Sequence, residues 1–319
     1  TTLSTREAGS IRMNAPHGQA ARPLRIAVAS GKGGTGKTTV SAALATVWAE
    51  ALSRPVLAVD LDVEEPNLHL FLRPLITDTH VANLEIPVID TDLCTRCGTC
   101  REICQFGAVT ILGDTPLVFD DMCHGCGACL ALCPVDAMRP GAREVGRIEE
   151  GVAGDIGFAC GRLRVGEAMS PVLIRAVTAR VDARLAALPE GERPDVLLDS
   201  PPGVSCPAVN AVATADAILL VVEPTPFGVH DFALAVEAFA PLGKPLAVVV
   251  NKAGEPDAQL AAICARENLP VLAAIPDDRA IVETYARGGL LPDVSPRYRE
   301  LCRDVAKKLA ALCREARHA

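Results

Sequence analysis

Eight of the thirteen cysteines in this 319-residue chain fall between Cys94 and Cys133. They form two units of one spacing, C-x2-C-x2-C-x3-C. The first is Cys94, Cys97, Cys100 and Cys104; the second is Cys123, Cys126, Cys129 and Cys133, followed by Pro134. Two-residue gaps let three thiolates wrap one side of a 4Fe-4S cubane, and in paired units the fourth cysteine reaches the other cluster. The spacing therefore assigns Cys94, Cys97, Cys100 and Cys133 to one cluster, and Cys123, Cys126, Cys129 and Cys104 to a second. Gly98, Gly125 and Gly127 leave room for backbone N–H groups near cluster sulfur, which tunes potential. Gln105 stands where the second unit has Pro134, a departure that leaves every ligand in place. Zinc is the competing reading, but its four-ligand sites do not call for two complete units of this kind.

The second group is Gly31-Lys32-Gly33-Gly34-Thr35-Gly36-Lys37-Thr38, a G-x4-G-K-T loop followed by Thr39. Its glycines let backbone N–H groups turn toward phosphate, and a helix beginning at its end adds favourable partial charge. Gly33, Gly34, Thr35, Gly36, Lys37, Thr38 and Thr39 are the expected nucleotide-binding residues. Lys37 is placed to reach the β- and γ-phosphates and the Thr38 hydroxyl to ligate Mg2+. Asp199 closes the apolar run DVLLD before Ser200-Pro201-Pro202-Gly203, where an acid holds Mg2+ through water.

Such groups need rigid supports. Short runs apolar on both faces occur at 24–30, 56–60, 195–199, 217–222, 246–250 and 271–275, as in buried parallel strands. Helical patterns lie between and after them, at about 37–50, 170–187, 228–240, 256–267, 278–287 and 297–317. The alternation predicts an α/β fold, a doubly wound, mainly parallel sheet. Residues 86–150 break the alternation and repeat a unit at an offset of 29 residues. They read as a small α+β domain inserted into a discontinuous one formed by 24–85 and 151–319. Residues 1–23 are polar and aperiodic and read as a disordered tail, with Met13 an alternative start.

Composition narrows the functions. Half the residues are hydrophobic but only 3% aromatic, so Ala, Val and Leu must fill the core. A net charge of −8 provides no basic field for nucleic acid. No apolar run spans a membrane and no secretory signal is seen, so the expected location is cytoplasmic. Cysteines there serve metals more than disulfides. The scattered five were expected to be packing residues; for Cys160 and Cys206 a redox or interface role was the alternative.

With Lys32 added, KGGTGKT resembles the deviant Walker A family of P-loop ATPases, which includes MinD, ParA, the nitrogenase iron protein and the Mrp cluster carriers. The resemblance implies that Lys32 reaches a partner's nucleotide across a dimer. It also implies that Asp60 lies near Mg2+, and that Asp62 in Asp60-Leu61-Asp62-Val63-Glu64-Glu65-Pro66-Asn67 positions the attacking water in switch I. Ser200-Pro201-Pro202-Gly203 becomes switch II. Asn251, after VVV, and Pro276 and Asp278, after AAI, resemble adenine-contacting segments. The implied catalytic set is Lys32, Lys37, Asp62 and Asp199.

Together the two groups resemble MinD-superfamily ATPases carrying an inserted two-cluster ferredoxin domain, of the kind associated with orange-protein complexes. The order agrees: loop, switch I, two cysteine units, then Arg162-Leu163-Arg164-Val165-Gly166-Glu167-Ala168-Met169-Ser170 leading a helix, then DSPPG. That resemblance implies ATP/ADP, Mg2+ and two 4Fe-4S clusters as cofactors, and a homodimer or a heterodimer with a related ATPase. It also implies a protein partner receiving electrons, with delivery of an iron–sulfur or other metal cofactor as the alternative. Positioning at a membrane, MinD-like, needs the last helix to bind lipid through Leu301, Val305, Leu309 and Leu312; packing against the sheet is the commoner use of such a face.

Overall fold

The computed structural model describes residues 22–318, so the disordered-tail expectation and Met13 lie outside the described residues, apart from the last two positions of the tail. The first half runs β1 (Arg25–Ala29), α1 (Lys37–Leu52), β2 (Val56–Asp60), α2 (Leu68–Leu72), β3 (Leu75–Ile89), α3 (Thr99–Ile103), β4 (Val109–Leu112), β5 (Thr115–Val118), α4 (Ala128–Ala131) and β6 (Met138–Ala153). The second half runs β7 (Ile156–Leu163), α5 (Ser170–Ala186), β8 (Asp195–Asp199), α6 (Cys206–Val212), β9 (Ala217–Val222) and α7 (Pro226–Phe239). It ends with β10 (Leu246–Ala253), α8 (Ala258–Arg266), β11 (Val271–Pro276), α9 (Arg279–Ala286), α10 (Leu291–Val294) and α11 (Pro296–His318).

Among the described residues nine strands form one sheet, in the order β11-β10-β9-β1-β8-β2-β7-β6-β3. Neighbours from β11 to β7 are parallel, and β6 is antiparallel to both β7 and β3. Successive side chains enter opposite cores, as a pleat requires. Ala27 and Ala29 of β1 join the face covered by α5, α6, α7 and α8, whereas Ile26 and Val28 join the face covered by α1 and α11. This is the doubly wound sheet expected from the alternation.

Three strands were not expected: β3, β6 and β7. β3 is exposed over its first residues, and β7 (IGFACGRL) carries two glycines, a cysteine and an arginine, so neither shows a buried β-branched run. β6 lies largely within the 86–150 stretch that showed little strand pattern; its buried positions include Arg143, Gly146, Glu150 and Gly151 as well as Met138, Val145 and Ile148, so no apolar alternation marks it.

The geometry of these strands sets where the cysteines sit. β7 is parallel to β2 and ends beside it at the carboxyl edge of the sheet. β6 passes Leu163 at Gly146, and β3 pairs there through Ala82. Residues 83–89 and 138–145 therefore project beyond that edge as a two-stranded ribbon. The 90–137 segment closes its end, with Asp90 N–H bonding the Ala137 carbonyl at 2.8 Å. The carboxyl edge of such a sheet is also where ligands bind.

The amphipathic face of α11 is used inside the molecule. Val305 and Leu309 are buried, and Leu301 and Leu312 pack on the same core as α1. Among the described residues no helix is long and apolar enough to cross a membrane.

Candidate functional site

The loop after β1 is held from three sides. Gly203 N–H bonds the Ser30 carbonyl at 2.9 Å, and Ser30 Oγ donates to the Lys32 carbonyl at 2.8 Å. Asn251, at the end of β10, donates its amide to the Thr35 carbonyl at 2.7 Å. Gly36 has φ +89°, and a Cβ there would meet Asn251 Nδ2 at 2.1 Å; both facts require glycine. No acidic residue occupies the first turn of α1, so its free amides present undiminished positive partial charge to the loop. Thr35 Oγ1 is buried with no partner among the described residues, in a loop whose open amides suit phosphate oxygen.

Lys37 and Asp199 form a buried ion pair, Nζ to Oδ1 at 2.9 Å. Thr38 Oγ1 donates to Asp199 Oδ2 at 2.7 Å, and Ser41 Oγ to Oδ1 at 2.7 Å. Asp60 faces Asp199 across the β2–β8 pair. Its carboxylate accepts from Asp62 N–H at 3.0 Å and Leu68 N–H at 2.9 Å. Burial, and then the neighbouring Asp199 charge, raise the Asp60 pKa. Burial is also the main cause that lifts Asp62 to about 6, against the pull of Lys37. These raised carboxyls mark a site that a cation would relieve.

Other expected residues are placed less decisively. Lys32 is half-buried, with Nζ 3.5 Å from Thr225 Oγ1 at the start of α7. Pro276 pairs with Ala253 at the ends of adjacent strands, near Asn251. Asp278 is committed to structure: it caps α9 through Ala280 N–H at 2.9 Å and accepts from Tyr298 Oη at 2.8 Å. Thr39 is half-buried on the first turn of α1.

Above the same edge, the cysteine units repeat in conformation as well as in spacing. Positive φ recurs at Arg96 and Gly125, at Gly98 and Gly127, and at Gly107 and Asp136. Each pair has the offset of 29 residues that separates Cys94 from Cys123. Ala108 N–H approaches Cys104 Sγ at 3.3 Å, and Ala137 N–H approaches Cys133 Sγ at 3.2 Å, again one offset apart. Gly98 and Gly127 begin the short helices α3 and α4. Gly125 is fixed twice, by φ +66° and by Leu84 of the ribbon, whose Cδ1 a Cβ would meet at 2.4 Å.

Two recesses lie in this segment. One is lined by Cys94, Cys97, Cys100 and Cys133, with Ile89 and Met138. The other is lined by Cys104, Cys123, Cys126 and Cys129, with Phe106 and His124. The three clustered cysteines of each unit thus share a recess with the last cysteine of the other. Among the described residues no three His, Cys, Asp or Glu side chains are gathered closely enough to hold a single ion.

The scattered cysteines divide. Cys264, Cys302 and Cys313 are buried, as expected of small core residues, and Cys160 is buried beside Glu149. Cys206, expected to pack inside, is exposed: it opens α6 just after the Asp199 loop, where the chain turns outward.

Sequence reasoning missed Ser41 and the loop-holding role of Asn251. Ser41 lies four residues after Lys37, on the same helix face, and that spacing was readable. The contact of Asn251 with a loop 216 residues away was not.

A parallel sheet whose first strand feeds a glycine-rich loop and helix, with buried acids ending β2 and β8 beside it, defines a P-loop nucleotide-binding protein. The chain belongs to the CobQ/CobB/MinD/ParA nucleotide-binding domain family, whose model matches residues 26–291. It is 33% identical over 291 residues to the uncharacterized protein MJ0578 of Methanocaldococcus jannaschii, covering 90% of this chain and 96% of that protein. It is 29% identical over 270 residues to MJ0579 of the same organism, covering 82% of this chain and 89% of that one. In fold it is similar to the cell division ATPase MinD of Pyrococcus furiosus (TM-score 0.54, 20% identity, 91% of this chain and 99% of that one). It is likewise similar to MinD of Pyrococcus horikoshii, solved with Mg-ADP (TM-score 0.52, 20% identity, 90% and 95%).

Proposed function

We propose that this protein is an ATPase whose nucleotide state gates a two-cluster iron–sulfur module, residues 86–150, inserted into an ATPase domain formed by 24–85 and 151–319. One observation carries the reading: the two recesses sort the eight cysteines into two sets of four, each mixing the units as paired 4Fe-4S ligation requires. Clusters held there would supply one-electron chemistry toward a partner protein.

The residues around the loop do the nucleotide work. Backbone amides of Gly33 to Thr39 and Thr35 Oγ1 cradle the phosphates, and Lys37 exchanges Asp199 for β- and γ-phosphate oxygen. Thr38, Asp60 and Asp199 would hold Mg2+, and a cation there would offset the burial that raises the Asp60 pKa. Asp62 orients water toward the γ-phosphate. Lys32 leaves Thr225 for the nucleotide of a second ATPase copy or a related chain, beside the exposed Phe227. Asn251 and Pro276 border the base, with Asp278 keeping its cap. Asp60 also accepts from the Asp62 and Leu68 amides, so a shift of its carboxylate would be passed to the backbone of switch I.

The test is anaerobic reconstitution with iron and sulfide. Wild type gains a broad visible chromophore with matching iron and sulfide, Cys133→Ser and Cys104→Ser each lose about half of it, and Lys37→Met keeps it but binds ATP about a hundredfold more weakly. A chain that takes up zinc but no sulfide overturns the reading. Cys97 and Cys126 are solvent-exposed, which favours cofactor delivery as the second reading. Iron moving to an apo-acceptor while the donor loses its chromophore selects that alternative.

A further inference from the structure

Switch I and the second cysteine loop are joined by a continuous line of polar contacts through residues 162–170. Val63, in the middle of switch I, accepts Leu163 N–H at 2.8 Å, and the next residue, Arg164, bonds the Val145 carbonyl of β6 at 3.0 Å. Glu64 accepts from Ser170 Oγ, and Ser170 is buried at the start of α5. Just before it, the Ala168 and Met169 amides bond Glu167 Oε1 at 2.9 and 3.0 Å. The other oxygen of Glu167 pairs with the Arg143 guanidinium in the ribbon. Arg143 in turn reaches the Cys123 carbonyl at 3.5 Å and Asp121 at 3.8 Å, and Arg164 holds Asp121 at 3.4 Å.

We propose that Glu167 is a positioning residue that transmits movement of switch I to the Cys123–Cys126 loop, with Ser170 and Arg143 as its neighbours on either side. The proposal rests on the gating reading above. One carboxylate spans the gap: Oε1 is tied to the backbone that Glu64 anchors, and Oε2 to the arginine that braces the cysteine loop. Both the Glu167 and Arg143 side chains are buried, at 3% and 7% exposure, so water does not replace a partner that moves away. Val63 is fitted closely at Gly161, where a Cβ would meet its Cγ1 at 2.6 Å. Switch I therefore cannot shift without displacing the 162–170 segment. The line is a chain of contacts; coupling along it is what the test measures.

The experiment follows amide hydrogen exchange in the full chain, prepared anaerobically, with and without a non-hydrolysable Mg-ATP analogue. Wild type, Ser170→Ala and Glu167→Gln are compared, with analogue affinity measured for each. Wild type is expected to change exchange at residues 121–126 by about fivefold or more on binding the analogue. In both variants affinity stays within about twofold and that change falls away, while the change at the phosphate loop remains. Variants that bind the analogue and still show the wild-type response at 121–126 overturn the route and leave gating intact. A wild type that binds the analogue with no response at 121–126 overturns the gating reading and the route together. Glu167→Gln preserves the amide contacts and shape, so loss of response in a variant of unchanged thermal midpoint reports transmission, not unfolding.

Discussion

Around the phosphate-binding loop the polar groups bond one another: Lys37, Thr38 and Ser41 all converge on Asp199, and Asn251 pins the loop from the far side. Around the cysteines the polar groups face recesses, and the segment's own core is small, built on Val109, Cys129 and Met138. The loop rests on a nine-stranded sheet covered on both faces; the cysteine segment rests on the tip of a ribbon. The contrast teaches that the nucleotide end can hold its shape by itself, whereas the cysteine end has a small core of its own and, on the function proposed above, would gain its order from what its thiols bind.

Four experiments break or sharpen that contrast. The largest effect comes from stripping iron with a chelator. Proteolysis within residues 90–137 is expected to quicken on the order of a hundredfold, with the sheet left resistant. Equal resistance before and after stripping would erase the contrast. Next is Lys37→Met, which leaves Asp199 buried without its cation. ATP affinity falls by about a hundredfold, from losing a charged hydrogen bond worth about 1.5–3 kcal/mol, while iron content stays unchanged. Calorimetric titration and iron assay read the two quantities in one preparation.

Asn251→Ala comes third. It removes one buried bond to the loop and so costs about 1–2 kcal/mol, seen as roughly tenfold weaker ATP binding by the same titration. The smallest effect is Asp62→Asn. Its carboxyl titrates at about 6 in the fold against 3.8 unfolded, so its ionised form opposes folding. That penalty is full above pH 6 and fades as pH falls through the window toward 3.8. Without added nucleotide, the variant's thermal midpoint is expected to exceed wild type at pH 7.5, and by less at pH 5. An equal difference at both pH values would show that burial does not act on this charge.

Much of the nucleotide end was legible because its signals are local. A strand, a glycine turn and a helix follow one another around Lys37, and the acids at 60 and 199 each close an apolar run. The sorting of cysteines into two mixed sets was also legible, since it follows from spacing. What stayed hidden depends on distant pairing. In the ribbon β3 does alternate, Ala82, Leu84 and Ile86 buried between exposed Asn83 and Glu85, but over a short run, and β6 alternates irregularly; β7 becomes a central strand because β2 and β6 flank it, not through its own composition. Glu167 and Arg143 are ordinary charged residues in sequence, 24 positions apart, and acquire meaning only when the ribbon brings them together. Cys206 was misplaced for the same reason: packing depends on how the loop after Asp199 turns.

The central claim is that nucleotide and thiolate-bound iron act on each other through one chain. Electron paramagnetic resonance of the reconstituted, dithionite-reduced protein, recorded with and without Mg-ATP, tests it most directly. The account predicts reduced-cluster signals whose line shape or relaxation changes with Mg-ATP in wild type and not in Lys37→Met. Spectra that are identical with and without nucleotide in a protein shown to bind both would contradict it.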